Sequence, residues 1–309
     1  MDEVRTPLVT VITPTYNREV FLERTIDSIL SQCYPNIEYI VIDDGSTDNT
    51  SQLLDKYQGQ VRFESHANVG EQKTVNRGFS LAKGKYIAIV NSDDPLKANA
   101  ISIAVNILEN NPDLLAVYPD WDVVDENDQI IHNVRTKEFD YAAMLSLHDC
   151  IVGPGALITR QALEQVGLRN TDFRYVADFE FWLRLGLVGQ MARIPQTLAT
   201  WRRHDGAATF KEQGSEKASE HTRLINAFFQ RDDLPAYIRK LKRKAMSWAH
   251  YVAAIHAGRN RLLRLKHVLM FILPRPISAW DWWQKMGSEK PGQNRIASIF
   301  AKLLGNGGS

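Results

Sequence analysis

Cysteine is nearly absent: Cys33 and Cys150 are the only two in 309 residues. Two thiols cannot build a disulfide framework or a cysteine metal site, and both are expected to be buried in a reducing compartment. Long hydrophobic runs are missing too. The longest apolar stretch towards the C-terminus, Val268–Leu273, is far below the ~20 residues that cross a bilayer, so no membrane-spanning segment is expected. The opening Met1-Asp2-Glu3 has neither the basic nor the apolar region of a signal peptide, which points to the cytoplasm. Internal repeats and low-complexity tracts are lacking. What is present, 44% hydrophobic and 24% charged residues, is ordinary globular composition, with length for one large α/β domain and an appendage.

A further absence is local. Between Leu234 and Trp280 there is no acidic residue, while Arg239, Lys240, Lys242, Arg243, Lys244, Arg259, Arg261, Arg264, Lys266 and Arg275 are basic. Residues 1–210 carry 19 Lys and Arg against 29 Asp and Glu, and residues 211–309 carry 18 against 7, so a net of −10 precedes a net of +11. The two parts are therefore expected to do different jobs, with the basic one facing a polyanionic partner surface.

Hydrophobic patterning divides the chain at the same place. Apolar, β-branched runs at Leu8–Ile12, Ile37–Ile42, Val61–Ser65 and Tyr86–Val90 alternate with amphipathic stretches at Glu19–Gln32, Asp48–Tyr57 and Gly70–Ala82. That alternation predicts a mostly parallel sheet covered by helices. A helix over Ala98–Asn110 follows, then strands near Leu114–Tyr118, Ile130–Val134, Gly153–Thr159 and Ala192–Trp201, with a helix at Asp178–Leu187. Residues 211–218 read as a polar loop. From Glu220 to Leu273 the pattern is helical, broken near Asp232–Pro235 and at Gly258.

Polar motifs fall immediately after the strands, where open α/β sheets bind ligands. The strand Tyr86–Val90 runs into Asn91-Ser92-Asp93-Asp94-Pro95, and Ile40-Val41-Ile42 runs into Asp43-Asp44-Gly45-Ser46. Adjacent carboxylates at the mouth of a buried sheet repel unless a cation or hydrogen-bond donors compensate them, and Mg²⁺ or Mn²⁺ suits oxygen ligands that bridge to phosphates. Taken singly, each pair also reads as a helix N-cap or an Asp-Gly turn.

These residues resemble the family 2 glycosyltransferases of the GT-A fold. Val9-Thr10-Val11-Ile12-Thr13-Pro14-Thr15-Tyr16-Asn17 is similar to that family's opening strand and nucleotide loop, and Val41–Asp48 to its second strand end. Asn68-Val69-Gly70 with Asn76-Arg77-Gly78, Asn91–Asp94, Ala177–Leu185 and Trp201-Arg202-Arg203-His204 follow in the family's order. The likeness spans about residues 7–206 and implies an inverting, nucleotide-sugar-dependent transferase: a Rossmann-like, mostly parallel α/β sheet flanked by helices over residues 1–210. Residues 211–309 would then be a basic C-terminal α-helical extension.

Position by position, the resemblance implies that Thr13, Pro14, Tyr16 and Asn17 wall the base. Asp43 would accept a hydrogen bond from it, Asp44 would stand beside it in the nucleotide site, and Arg77 would reach the nucleotide. Asp93 would contact the ribose or sugar. Asp94 would ligate Mn²⁺ or Mg²⁺, with His204 as a further metal or diphosphate contact. Asp178 would be the general base, and Gly155, Ala156, Glu180 and Trp182 would line the acceptor side. One departure stands out: the family's usual Glu-Asp pair is here Ala177-Asp178. Competing structural roles are an N-cap for Asp178, a surface position for His204, a turn for Gly153–Ala156 and a core position for Trp182.

The resemblance implies a nucleotide diphosphate sugar, most often of uridine, as donor. A glycan or lipid-linked oligosaccharide would be the acceptor, in bacterial surface polysaccharide synthesis. For the tail, a packed helical extension competes with docking on an anionic membrane at the inner face of the cell membrane through Arg259–Arg275, Trp280, Trp282 and Trp283. No nucleic-acid module is recognisable, so no such partner is expected. The alternatives are a non-catalytic nucleotide-sugar-binding module, a sugar-phosphate nucleotidyltransferase and a Mg²⁺-holding signalling domain. The second would need a glycine-rich phosphate loop, and Thr13–Arg18 contains no glycine.

Overall fold

The computed structural model describes residues 6–204, 206 and 214–272. These form two compact units, one holding the described residues up to Tyr141 and from Cys150 to Gly206, the other Ala142–Asp149 and those from Gly214 on. Residues 142–149, expected in the first unit, thus belong to the second.

In the first unit, β1 (Val9–Thr15) is buried at all seven positions. A strand covered on both faces reads as a continuous apolar run rather than an alternation, which is why it was legible. It pairs in parallel with β2 (Ile37–Asp43) and β4 (Tyr86–Ile89), and β2 pairs in parallel with β3 (Arg62–Ser65). Thr15 lies opposite Asp43. The carboxyl ends of these strands therefore share one edge. Beyond β4 the sheet turns antiparallel through β7 (Leu157–Thr159), β5 (Leu114–Val124) and β6 (Ile130–Val134), in the order β3-β2-β1-β4-β7-β5-β6. The long β8 (Gln190–Arg202) pairs in parallel with β5, with register shifts around Pro119–Trp121.

Helices α1 (Leu22–Leu30), α2 (Thr50–Asp55), α3 (Glu71–Leu81) and α4 (Ala100–Asn110) cover the sheet, their buried residues recurring every three to four positions. All four are shorter than their apolar patterns. α5 (Tyr141–Leu147) and α6 (Arg160–Val166), which the patterning missed, are each a mere two turns. α3 lies hard against β1: a Cβ on Gly78 would come 2.3 Å from Ile12 Cγ2. Residues 153–156, expected in a strand, form a turn with Gly155 at φ +79°. After β4 the chain returns along β8, with Thr200 N–H donating to Pro95 O at 3.1 Å and Lys97 N–H to Leu198 O at 2.9 Å. This brings the Asp93-Asp94 turn beside the end of β8, and α7 (Ala177–Val188) precedes that strand.

The second unit contains α8 (Ser215–Phe228), α9 (Ala236–Arg239), α10 (Lys242–His256) and α11 (Arg261–Ile272). Ala218, Ala253 and Ala257, packed with Leu263, let the helices approach closely. The breaks fall where expected, at Pro235 and at Gly258 with φ +61°, whereas the polar stretch 211–218 already turns helical at Ser215. Neither cysteine is the buried thiol expected: Cys33 is exposed, and Cys150 is half-buried with its Sγ–H directed at Val152 O, 3.4 Å away. Among the described residues no helix is long and apolar enough to cross a membrane.

Candidate active site

The loop after β1 turns sharply at Asn17, which takes φ +53°, a conformation asparagine tolerates better than most residues. It is latched to the loop after β2. Asn17 N–H donates to Ser46 Oγ at 2.9 Å, Asn17 Oδ1 accepts from Thr47 N–H at 2.8 Å, and Arg18 N–H donates to Thr50 Oγ1 at 3.1 Å. Asp43 accepts from Ser46 N–H at 3.0 Å and Ser46 O–H at 2.5 Å. Asp44 faces elsewhere, accepting from Val69 N–H at 2.8 Å and Gly70 N–H at 3.0 Å. Between them Gly45, at φ +77°, passes so close that a Cβ would lie 2.7 Å from Asn68 N. Only glycine meets both demands.

The acidic pair after β4 splits. Asp94 is buried, its Oδ1 accepting from Arg202 N–H at 2.8 Å and its Oδ2 from Asn91 Nδ2 at 3.0 Å. Burial, and then the Asp93 charge, push its carboxyl well above the ordinary carboxylate range. Asp93 instead meets His204, with Oδ2 3.0 Å from Nε2, and Arg18 Nε at 3.4 Å. His204 packs on Phe21, ring centroids 4.6 Å apart.

Arg202 holds this edge together. Fully buried, it donates from Nε to Asp93 O at 3.1 Å and from Nη1 to Asp125 O at 2.8 Å, pairs with Asp128 and lies over the Phe21 ring. Its guanidinium thereby fixes the backbone of the acidic turn. Asp178 is exposed in the first turn of α7, where its Oδ1 accepts from Phe179 N–H at 2.7 Å.

The glycosyl transferase family 2 model matches residues 10–167, more than half of the chain, and therefore includes the strand ends just described up to Asp94. The chain belongs to glycosyl transferase family 2. It is 28% identical over 250 residues to an uncharacterized glycosyltransferase of Rickettsia bellii, matching 78% of this chain and 34% of that protein. To the hyaluronan synthase of Pasteurella multocida it is 27% identical, over 75% of this chain and 24% of that one. The chain thus spans about a third of the first of these relatives and about a quarter of the second. Among solved structures, S. aureus TarS residues 1–349 with UDP-GlcNAc superpose at TM-score 0.68 and 17% identity, covering 86% of this chain and 80% of that one. A mannosyltransferase from Pyrobaculum calidifontis with GDP-Man and Mn²⁺ gives TM-score 0.56 and 19% identity over 99% and 89%. At such identities these likenesses show a shared GT-A fold.

Within this family 2 glycosyltransferase the structure draws together Asn17, Asp43, Asp93, Asp94 and His204, with Tyr16 exposed beside them. Thr13 and Pro14 are buried in the sheet, where Thr13 Oγ1 bonds Tyr39 Oη at 3.1 Å. Arg77 is engaged on the surface by Glu64, with Nη2 2.8 Å from Oε2. Glu180 pairs with Arg184 through Nε at 2.7 Å and Nη2 at 2.8 Å. Trp182 is buried edge-on against Phe181, its core role. Gly155 serves backbone packing, a Cβ there falling 2.8 Å from Ala199 Cβ, and Ala156 is buried. Sequence reasoning missed Arg18, which directly follows the Asn17 motif, and did not single out Arg202 within its quoted motif; burial of an arginine leaves no sequence signal.

The residues that could hold a divalent cation are Asp93 and His204. Asp94 has both oxygens engaged by protein donors, while Asp93 and His204 turn a carboxylate oxygen and a ring nitrogen towards each other at 3.0 Å. Among the described residues no group of three or more His, Cys, Asp or Glu side chains converges as a metal site. Two protein ligands with the rest from phosphate oxygens and water is the habit of Mg²⁺-type sites.

Proposed function

We propose that this chain is an inverting glycosyltransferase that moves a monosaccharide from a nucleotide diphosphate sugar, a UDP-sugar, to a hydroxyl of a glycan or lipid-linked oligosaccharide. The observation that carries the reading is the facing of Asp93 and His204 beside the latched Asn17–Asp43 loops. In this reading the domain boundary lies near residue 210, and Asp43 and the Tyr16–Asn17 loop hold the base. Asp93 and His204 would hold Mn²⁺ or Mg²⁺, so the direct ligand is Asp93 rather than Asp94. When bound, such a cation offsets charge developing on the departing diphosphate.

Asp178 removes the proton from the acceptor hydroxyl as its oxygen bonds to the anomeric carbon, opposite the bond that breaks towards the diphosphate. The diphosphate leaves with that electron pair. Its place in the first turn of α7 supports the role, since the helix N-terminus and the Phe179 N–H orient the carboxylate. The name of the hyaluronan synthase relative supports polysaccharide assembly as the setting. The test is thermal stability against UDP, GDP, CDP and ADP with Mn²⁺, Mg²⁺ or EDTA, because a ligand of the folded state raises apparent stability. One nucleotide should shift the midpoint in a manner that EDTA abolishes; no shift with any of them would sink the reading.

The same reading places the protein in the cytoplasm, peripheral on an anionic membrane. On α11 Leu262, Leu265, Leu269 and Met270 are exposed along one face, Leu262 by 81%, with Arg261 and Lys266 beside them. Apolar side chains flanked by basic ones are what an anionic lipid surface takes. Arg275, Trp280, Trp282 and Trp283 lie outside the described residues. Full-length protein should float with vesicles containing phosphatidylglycerol, less so in high salt, and not with phosphatidylcholine alone. Flotation indifferent to anionic lipid would remove the membrane from the proposal.

A further inference from the structure

Where β6, β5 and β8 lie side by side, one face of the first unit's sheet is polar. Successive side chains of a strand point to opposite faces. On β8, Ile194 and Leu198 join the main apolar cluster, whereas Arg193, Pro195 and Thr197 alternate with them and line a hollow of about 730 Å³ together with Asp120, Asn133 and Arg135. That volume lies in the range of small-molecule sites, ~300–1,000 Å³. Ile194 lies opposite Pro119 and Thr197 opposite Asp120, so Pro195 and Gln196 have no match on β5. An irregularity of this kind bends a strand and re-aims its side chains. From Thr197 to Arg202 the strand runs on for roughly 17 Å at about 3.3 Å per residue, so the hollow is separate from the edge that holds Asp93 and His204.

The floor of the hollow is fixed. Asp120 is buried; its Oδ1 accepts from Thr136 N–H at 2.8 Å, Thr136 O–H at 2.7 Å and Arg193 Nε at 3.0 Å, and its Oδ2 from Arg193 Nη2 at 2.6 Å. Burial would raise its carboxyl, but the bonds from Arg193 and Thr136 hold it below the ordinary carboxylate range. It is therefore a permanent counter-charge that locks Arg193 in place. Arg193 Nη1 also donates to Glu138 Oε1 at 3.2 Å, at a rim where Glu138 is 79% exposed. Of the five guanidinium N–H groups of Arg193, two are left for a ligand. Asn133 donates from Nδ2 to Asp122 Oδ1 at 2.6 Å and keeps its Oδ1 as an acceptor, and Asp122 is further answered by Lys97 at 3.2 Å. Arg135 is exposed and, among the described residues, meets no acceptor. The lining thus sets two guanidiniums, one locked and one unanswered, against a single carboxylate.

We infer that this hollow binds an acidic sugar residue, one carrying a carboxylate or a phosphate, as a subsite for the acceptor glycan remote from the transfer step. A guanidinium takes such an oxyanion through paired N–H···O bonds; Arg135 supplies them, and the free N–H groups of Arg193 face the same ligand. The Thr197 hydroxyl and Asn133 Oδ1 suit ring hydroxyls, and the Pro195 ring offers the sugar's C–H face an apolar contact. The inference rests on the transferase reading for the role of the sugar as acceptor, whereas the binding stands by itself.

The test is saturation-transfer NMR on the full chain with methyl glucuronide, glucose 6-phosphate and methyl glucoside, in UDP and Mg²⁺ so that the nucleotide edge is filled, and with inorganic phosphate as competitor. At least one acidic sugar should bind tenfold or more tightly than methyl glucoside, and which of the two binds better tells a carboxylate from a phosphate. Arg135→Gln should weaken that sugar roughly tenfold, the usual loss for a hydrogen bond to a charged group, and Arg135→Lys, which keeps the charge without the paired geometry, should recover part of it. UDP affinity by calorimetry and the far-ultraviolet spectrum should hold, which reports that each variant is folded. Methyl glucoside bound as tightly as the acidic sugars, no binding of either acidic sugar, or undiminished binding by Arg135→Gln overturns the subsite. So does inorganic phosphate that competes as strongly as the acidic sugar binds, since the hollow would then hold a bare anion. Acidic-sugar binding by a wild type that takes no nucleotide supports the subsite and counts against the transferase reading instead.

Discussion

Asp93 and Asp94 are adjacent in sequence and chemically identical, yet they have opposite surroundings. Asp94 is turned into the protein, where Arg202 N–H and Asn91 saturate its oxygens, and Asp93 is turned towards His204 and Arg18. A saturated, buried carboxylate holds the turn, and a carboxylate beside an imidazole can reach a cation. Titration of Mn²⁺ in the presence of UDP separates the two. Asp93→Asn should weaken the apparent metal affinity roughly tenfold or more, a loss of the size that disturbed metal ligation brings, and Asp94→Asn should change it little. The reverse result would return the metal to Asp94. Asp178→Asn should abolish turnover while nucleotide affinity stays, since the amide keeps the shape but cannot take the proton; undiminished turnover would remove Asp178 as the base.

At the scale of elements, the packing of α3 on β1 is set by one glycine. This helix carries Glu71, Asn76 and Arg77, and it sits close because Gly78 presents no side chain to Ile12. Gly78→Ala would gain some helix propensity but force a methyl to within 2.3 Å of a fully buried Ile12. Overpacking of this kind costs about 1–3 kcal/mol, so the melting midpoint should fall by several degrees in calorimetry. A midpoint at or above that of the wild type would mean that α3 can slide on the sheet without cost.

In the molecule as a whole, the two units differ in how acid should affect them. The helical unit buries imidazoles in contact: His148 Nε2 lies 2.9 Å from His221 Nδ1, His221 stacks on His256, and His250 Nδ1 lies 2.8 Å from His267 Nδ1. Burial, aided by neighbouring imidazoles, Lys217 and Lys266, lowers all five, to about 3 for His148 and about 4 for His250 and His256. Folded values below that of the unfolded chain mean that stability is full above about pH 6.5 and is lost as pH falls towards 4, on the order of 1 kcal/mol per imidazole for each pH unit. Melts followed by far-ultraviolet circular dichroism from pH 7.5 to 4.5 should show helix lost at lower temperature as pH falls through this window. His250→Gln should lessen the dependence, and a midpoint flat with pH would show that the imidazoles accept protons in place.

Sequence by itself determined the elements whose signal is local. The continuous apolar runs of β1, β2 and β4, the helix breaks at Pro235 and Gly258, and the order of the polar motifs after the strands could all be read from neighbours in the chain. So could family membership, because several ordered motifs carry it together. Tertiary structure decided what depends on which distant groups meet. It turned Asp44 to the backbone of Val69 and Gly70, gave Arg77 to Glu64 and Glu180 to Arg184, and sank Trp182 in the core. It also moved residues 142–149 into the helical unit and left Cys33 exposed. The physical reason is that a side chain's chemistry is set by its solvation and its nearest charges. Those are supplied by strands and helices tens of residues away, as Arg202 does for Asp93 and Asn76 for Arg169.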